Sequence, residues 1–331
     1  MKPIGGFFEL ELNEPEFSLD IGQFAFNSGS SALLFYLQNS HFKNILVPYY
    51  TCNSVYKVIK RTKLSIEYYQ IDDNFSPIID YNQLNDNTLL IYNNYFGLNS
   101  SNVNYVANRT KNILIDASQA FFFKQASIDY FNSARKFFGV PDGGLLSYSK
   151  TDLANKLVKH LPSSSSKYLS SHLLNRLEGN LEQAYKDYKL NEKLLAESDI
   201  CKMSELTKKL LSNINMQDVK LKRLHNFKLL HKNLADYNNL KKFINQATTK
   251  NSQIPMCYPL LIPNGDKIKK ELIKNKIFIP TYWPEIKSNF NKDCVFETEL
   301  LNNLVCIPID QRYNQDDMKI ILSTLKKIID G

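Results

Sequence analysis

The chain has 331 residues, 43% of them hydrophobic, and a formal net charge of +8. That length holds one large and one small domain, and that composition excludes a disordered chain. The positive excess lies in no dense Lys/Arg block, so it reads as solvated helix faces and excludes a nucleic-acid surface.

Five cysteines, Cys52, Cys201, Cys257, Cys294 and Cys306, are scattered without close pairs. This excludes a disulfide framework and a zinc site, and fits reduced thiols in a cytosol. The five histidines add no metal-ligand spacing. No charged segment followed by an apolar one opens the chain, and no apolar run approaches membrane-spanning length. The expectation is a soluble, cytoplasmic protein.

In chain order, residues 1–26 form a lead-in carrying Ile4, Gly5, Gly6, Phe7 and Phe8. Residues 27–31 are a polar turn that opens an apolar helix over 32–37. Hydroxyls and unused N–H groups at a helix start either cap the helix or hold a phosphate, and both uses draw on the same donors. Residues 45–47 read as a strand, followed by Pro48, two tyrosines, Thr51 and Cys52, then a short helix with Val55, Val58 and Ile59 on one face. Residues 66–70 and 89–92 are further strands. Residues 93–97, with Tyr95, follow the second at its C-terminal end.

Residues 113–115 are a short apolar run of the buried-parallel-strand kind, closed by Asp116. A carboxylate at the C-terminal end of such a strand lies where open α/β sheets bind ligands. It is costly there without a cationic or hydrogen-bonding partner. The protonated ring nitrogen of pyridoxal phosphate is one such partner; the alternative is a cap on the next helix. Gln119 stands three residues on, within reach of that ring's phenolic oxygen. Lys136 follows, between Asn132 and Ser133 on one side and Phe137 and Phe138 on the other. Aromatic walls would disfavour its ammonium form and make it a nucleophile for carbonyls, unless its stem simply lies along apolar neighbours. The run Pro141, Asp142, Gly143, Gly144 is turn chemistry, and 145–149 reads as a strand.

Residues 150–250 change character: polar, leucine-periodic and lysine-rich, they predict several long helices, with a flexible loop over 163–166. Residues 258–262 and 306–309 read as strands of a smaller domain, covered by helices over 267–274 and 315–329. Ile321, Leu325, Ile328 and Ile329 give the last helix a core stripe. Tyr282 and Trp283, and Arg312 with Tyr313, read as exposed loop residues, Arg312 facing a carboxylate or a diphosphate. Strands alternating with short helices argue a mostly parallel, doubly wound sheet.

Nine segments in order give the chain a broader likeness: NSGSSAL at 27–33, ILVPYYTCNSV at 45–55, NYFG at 94–97, IDASQAF at 115–121, SARKFFGVPDGGLL at 133–146, KMSELTKKLL at 202–211, RLHNFKLL at 223–230, YPLLIP at 258–263 and CIPIDQRYNQDDM at 306–318. In these the chain resembles, nearly end to end, the DegT/DnrJ/EryC1/StrS aminotransferases. These are pyridoxal-phosphate enzymes of the aspartate-aminotransferase fold that act mostly on nucleotide-linked keto-sugars. The resemblance implies an α/β fold of type I, with a mostly parallel seven-stranded sheet flanked by helices. The large cofactor domain would span 1–210, with a helical insert over about 160–210, and a small C-terminal α/β domain 211–331.

It further implies that Lys136 holds the cofactor and shuttles a proton, that Asp116 keeps the ring nitrogen protonated, and that Gln119 meets the phenolic oxygen. Gly29, Ser30 and Ser31 match the phosphate turn. Relatives carry an aromatic at the Cys52 position that stacks on the ring. Here either the thiol packs on the ring, or Tyr50 or Tyr95 supplies the aromatic. The family's phosphate-binding serine is Phe131 in this chain, with Ser133 the nearest substitute. A cross-subunit asparagine is absent before Met203, with Arg176 or Asn180 as replacements. The implied activity is amino transfer, from glutamate, to a nucleotide-linked keto-sugar in surface polysaccharide or related biosynthesis, by a homodimer that binds neither nucleic acid nor membrane. The alternatives are a non-sugar ketone acceptor or a non-catalytic regulatory protein; a dehydratase of this fold would carry histidine at 136.

Overall fold

A computed structural model describes residues 10–13, 17–167, 169–248 and 253–330. The lead-in motif from Ile4 to Phe8 lies outside them. In chain order the elements are β1 Gln23–Phe26, α1 Gly29–Gln38, β2 Asn44–Pro48, α2 Asn53–Ile59, β3 Ser65–Ile71, β4 Pro77–Ile78, β5 Thr88–Asn93, α3 Ser100–Ala107, β6 Ile113–Asp116, β7 Asp129–Ser133 and β8 Gly144–Ser147. Then come α4 Thr151–Val158, α5 Ser171–Leu177, α6 Leu181–Glu197, α7 Glu205–Ser212, α8 Met216–Leu234, α9 Lys241–Thr248, β9 Cys257–Leu261, α10 Gly265–Lys274, α11 Val295–Asn303, β10 Leu304–Pro308 and α12 Gln315–Asp330.

The large sheet runs β1-β8-β7-β6-β5-β2-β3-β4. Strands β3, β2, β5, β6 and β7 are parallel neighbours. At one side β8 is antiparallel to β7, and β1 to β8. The expected mostly parallel sheet is present, with the two-residue β4 added antiparallel at the far edge. Both β5 and β6 are buried along their whole length, which is why they read as continuous apolar runs and not as alternating ones. A second, two-stranded sheet pairs β9 with β10. Against it pack α8 and α10, while α12 packs on both helices. The α12 stripe holds: Ile321 and Leu325 are buried with Met318 and Leu322, and Ile328 and Ile329 pack against the core.

The lysine-rich stretch differs from expectation in one respect. Only α6 and α8 are long; the other helices between 150 and 250 have seven or eight residues. Between α6 and α7 the chain is extended, and Lys202 bridges to both Phe26 and Ser163. Helix propensity gave way there to tertiary pairing. The lysines do lie on solvated faces, as with the pairs Lys186–Glu182, Lys222–Asp218 and Lys270–Asp266 one helical turn apart.

Helix α1 is apolar almost all round because the sheet lies against one side and other elements cover the rest. Its N-terminus sits directly on the start of β8. A Cβ on Gly144 would lie 2.3 Å from the Ser28 carbonyl carbon and 2.4 Å from the Gly29 nitrogen. Only glycine permits that approach. Gly144→Ala is therefore expected to cost roughly 3 kcal/mol, since backbone and not a flexible side chain must yield. Gly139→Ala, whose Cβ would meet only Leu173 at 3.7 Å, should change stability by less than about 0.5 kcal/mol. Urea unfolding at constant slope measures both.

Candidate active site

The site forms at the C-terminal edge of the parallel strands. In register, Asp116 at the end of β6 lies between Asn93 of β5 and Phe131 of β7. Asp116 is 8% exposed, and its Oδ1 accepts the Ser118 N–H at 2.8 Å. Burial pushes its carboxyl up from the ordinary 3.8, while nearby Lys136 and the Ser118 hydrogen bonds pull it back. Asp116 therefore does partly what a helix cap does, but the strand's end and not a helix positions it.

Gln119 is buried, and its Oε1 accepts the Phe96 N–H at 2.8 Å. That fixes the amide's orientation. Its Nε2 is buried with no hydrogen-bond partner among the described residues. Phe96 adopts a left-handed φ of 57° to aim its N–H there, a conformation that costs an aromatic residue energy. The loop carrying Phe96 is held by Asn94, whose Oδ1 accepts the Asn99 N–H at 3.0 Å, and by Asn99, which donates to Tyr92 Oη at 2.8 Å.

The α1 N-terminus faces the same edge. Ser28 Oγ caps the helix by accepting the Ser31 N–H at 3.0 Å, and it donates to Ser31 Oγ at 3.0 Å. The N–H groups of Gly29 and Ser30 precede the first intrahelical bond. A Cβ on Gly29 would lie 3.0 Å from the Asn132 carbonyl oxygen and 3.5 Å from the Ser133 Cβ. Gly29, which opens α1 before Ser30 and Ser31, thus lies against Ser133. Cys52 stands at the α2 N-terminus, its Sγ accepting from Ser54 Oγ at 3.0 Å. The preceding Thr51 exchanges hydrogen bonds with Asn93, which lies opposite Asp116.

Three expectations are corrected. Lys136 closes a 3-10 turn over Ala134–Lys136 and is exposed; Phe137 and Phe138 do not wall it in. Consecutive residues in such a turn point about 120° apart. The two phenylalanines enter the core instead. Phe138 packs on Phe121, with ring centroids 4.8 Å apart, and Phe137 lies under Arg223 at 4.5 Å. Tyr50 and Tyr95 offer no stacking face: both are fully buried, their rings lie 6.1 Å apart, and Tyr95 Oη donates to the Tyr50 carbonyl at 2.8 Å. Trp283 is not an exposed loop residue but is 8% exposed, 4.9 Å from the Tyr50 ring. Arg312 is exposed and finds its carboxylate in Asp310, through Nε–Oδ1 at 2.7 Å and Nη2–Oδ2 at 2.9 Å.

Residues that the sequence reading passed over hold the lysine loop. Asp142, fully buried, accepts from Ser204 N–H at 3.1 Å, from Ser204 Oγ at 2.8 Å and from Thr207 Oγ1. Arg223 of α8 is 1% exposed; burial brings its guanidinium down to about 10. It donates to the Met256 carbonyl at 3.1 Å and to Gln311 Oε1 at 3.1 Å, while Gln311 Nε2 donates to the Phe137 carbonyl at 2.7 Å.

No family model matches this chain, and no curated protein sequence matches it. Solved structures do. A sugar aminotransferase, CalS13 from Micromonospora echinospora, superposes with a TM-score of 0.65 at 14% identity, over 92% of this chain and 87% of that one. NtdA from Bacillus subtilis, with bound cofactor PMP, gives 0.67 at 13% identity, over 93% and 73%. A DegT DnrJ EryC1 StrS aminotransferase from Brucella abortus gives 0.62 at 13%, over 92% and 85%. The chain has their fold: a large, mostly parallel sheet flanked by helices, with a smaller α/β unit.

A stability consequence follows for Asp116. Because its folded-state pKa is raised, the folded chain prefers the protonated carboxyl. This group thus favours folding at low pH and opposes it increasingly as pH rises through the raised value. Asp116→Asn should make the ligand-free protein more resistant to urea at pH 7, and the difference should shrink as pH falls toward 3.8. Equal stability of the two proteins at pH 7 would show that desolvation of Asp116 is offset by its partners.

Proposed function

We propose that this chain is a pyridoxal-phosphate-dependent aminotransferase that moves an amino group, with glutamate as donor, onto a nucleotide-linked keto-sugar in polysaccharide or related biosynthesis. The observation that carries this reading is the orphaned Nε2 of Gln119, a buried donor aimed away from Phe96 beside a desolvated Asp116. A neutral donor and a carboxylate at one strand edge match the phenolic oxygen and the ring nitrogen of the same aromatic cofactor. The cradle at Gly29, tight enough that a Cβ would touch the Asn132 carbonyl, suits the phosphate. The fold shared with sugar aminotransferases supports the same assignment.

When bound, the cofactor supplies an electron sink for charge developing at the substrate carbon. The protein's own residues do the rest. Gly29, Ser30, Ser31 and Ser133 hold the phosphate with N–H and hydroxyl donors. Asp116 keeps a proton on the ring nitrogen. Gln119 Nε2 would donate to the phenolic oxygen, and Cys52 would face the ring. The Lys136 amine would anchor the cofactor and, once freed, would carry the proton between the substrate carbon and the cofactor. Its exposure leaves that amine free to move between the two tasks.

We assign the large cofactor domain to 1–210 and the small domain to 211–331, a division supported by α8 packing on α12 and β9. We further propose a cytoplasmic homodimer with the site at its interface. The α5–α6 hairpin exposes Leu177 at 85%, Leu181 at 58% and Tyr185 at 61%. Apolar surface gathered on one projecting element suits a self-complementary contact. A residue between 163 and 203 would then cross to the partner's cofactor phosphate.

Purified protein should be yellow, and borohydride should fix the cofactor to Lys136; Lys136→Ala abolishes that adduct. A colourless protein with no borohydride-trapped cofactor would sink the enzymatic reading in favour of a regulatory one. Asp116→Asn should keep cofactor yet lose turnover by about a hundredfold or more, because the ring nitrogen loses its anionic partner. Light scattering should give twice the chain mass for wild type and a monomer for Leu177→Glu with Leu181→Glu. A monodisperse wild-type monomer that still transaminates rules the dimer out.

A further inference from the structure

Arg135, directly before Lys136, has donors that the roles above leave unused. Its side chain is 11% exposed, and its Nη1 pairs with Glu192 of α6. Its guanidinium lies 5.5 Å from the centre of the Tyr188 ring. Nε and Nη2 are both buried, with no hydrogen-bond partner among the described residues. Together they form the edge of the guanidinium fork that takes a carboxylate through two parallel N–H···O bonds. A mere pin between hairpin and loop would need only the Glu192 contact. Two desolvated donors without an acceptor are costly unless something else binds them.

Arg135 stands one residue before Lys136, with its side chain turned toward α6. Arg135 and Lys136 share one 3-10 turn. Tyr188 lies beside that guanidinium, and Cys52 is among the groups around it. Above them lies the α5–α6 hairpin, whose two helices pack on one another. It is tied to the lysine loop by Asn191 Nδ2, which donates to the Pro141 carbonyl at 2.9 Å.

We propose that Arg135 is the receptor for a carboxylate of the amino donor, and that the α5–α6 hairpin is the cover that admits it. This rests on the aminotransferase reading above. Glu192 holds Nη1 in the covered state, and the Nε/Nη2 edge receives the donor's carboxylate when the hairpin shifts. A single carboxylate suits the edge better than a diphosphate. Glu192 already offsets the arginine's charge, so a monoanion leaves the smaller excess of negative charge in a desolvated place.

The test is calorimetric titration of the cofactor-loaded protein with glutarate, an unreactive dicarboxylate, together with donor kinetics. Wild type should bind glutarate saturably. Arg135→Gln should weaken glutarate and raise the donor KM by about tenfold or more, with a smaller change in kcat. Its borohydride-trapped adduct at Lys136 should be unchanged. Glu192→Gln should tighten glutarate by about threefold or more, since it removes a competing carboxylate. No glutarate binding by wild type overturns the proposal. So does Arg135→Gln binding within about twofold of wild type, or a lowered melting temperature as its only effect. If Arg135→Gln does not fold, Glu192→Gln decides: unchanged or weaker glutarate binding overturns the assignment. Should no adduct form at Lys136 while glutarate still discriminates the variants, the transaminase reading fails and the carboxylate site stands.

Discussion

The geometry of the whole site depends on one buried carboxylate that performs no chemistry. Asp142 sits in the turn between Lys136 and β8, fully buried, with no cation against it. What stabilises it is the N-terminus of α7: a backbone N–H and two hydroxyls, at the positive end of a helix. Removing one partner of such a cluster leaves a charge without compensation, which costs several kcal/mol, about 3–5. The turn is held on its other side by Gly143, whose N–H donates to the Asn27 carbonyl at 2.8 Å, directly before the α1 cap. The lysine loop, α1 and α7 therefore move as one piece.

The elements from α8 onward are coupled to the same loop. Arg223 and Gln311 meet the backbone at Phe137, the residue after Lys136, and Arg223 also reaches carbonyls that lead into β9. A buried guanidinium that donates to carbonyls and stacks on a ring is a rigid connector, since its planar fork fixes direction as well as distance. Lys136 thus has a backbone clamped by α7 on one side and by Arg223 and Gln311 on the other, and a side chain left exposed. That combination suits a group that must be placed accurately and then move between two atoms.

How much of this was legible in the sequence follows from which forces act locally. The strands at 45–47 and 113–115 were legible because burial on both faces leaves a continuous apolar run. Asp116, Gln119 and the α1 cap were legible because a strand end or a helix start constrains a few residues in a row. Phe137 and Phe138 misled because adjacency in sequence says nothing about direction within a 3-10 turn. Tyr50 and Trp283 misled because they pack on one another from distant parts of the chain, and Tyr95 because Tyr50 and Phe75 close over it. Asp142, Arg223 and Arg135 carried no signal for the same reason: each finds a partner across more than 50 residues of chain, Ser204, Gln311 and Glu192 in turn.

The distribution of unmet polar groups separates scaffold from site. Away from the strand edge, many buried polar side chains find partners, though Tyr50 Oη, Tyr81 Oη and Asn191 Oδ1 do not. Asn99 donates to Tyr92, Asn102 to the Asn74 carbonyl, Asn238 to the Pro259 carbonyl, and Asp142 is saturated by α7. At the edge, Gln119 Nε2, Asn132 Oδ1 and two nitrogens of Arg135 go without. Tyr50 Oη, Tyr81 Oη and Asn191 Oδ1 stand apart from this group. An orphan costs more than a satisfied group of the same kind gains, so a chain selected for stability alone would fill these positions with apolar residues. Under the proposed function, the four at the edge are groups whose partners would arrive with a ligand. Each partner that binds the folded chain and not the unfolded one adds stability by mass action. The polarity that weakens the bare chain here is the same polarity that the occupied site turns into affinity.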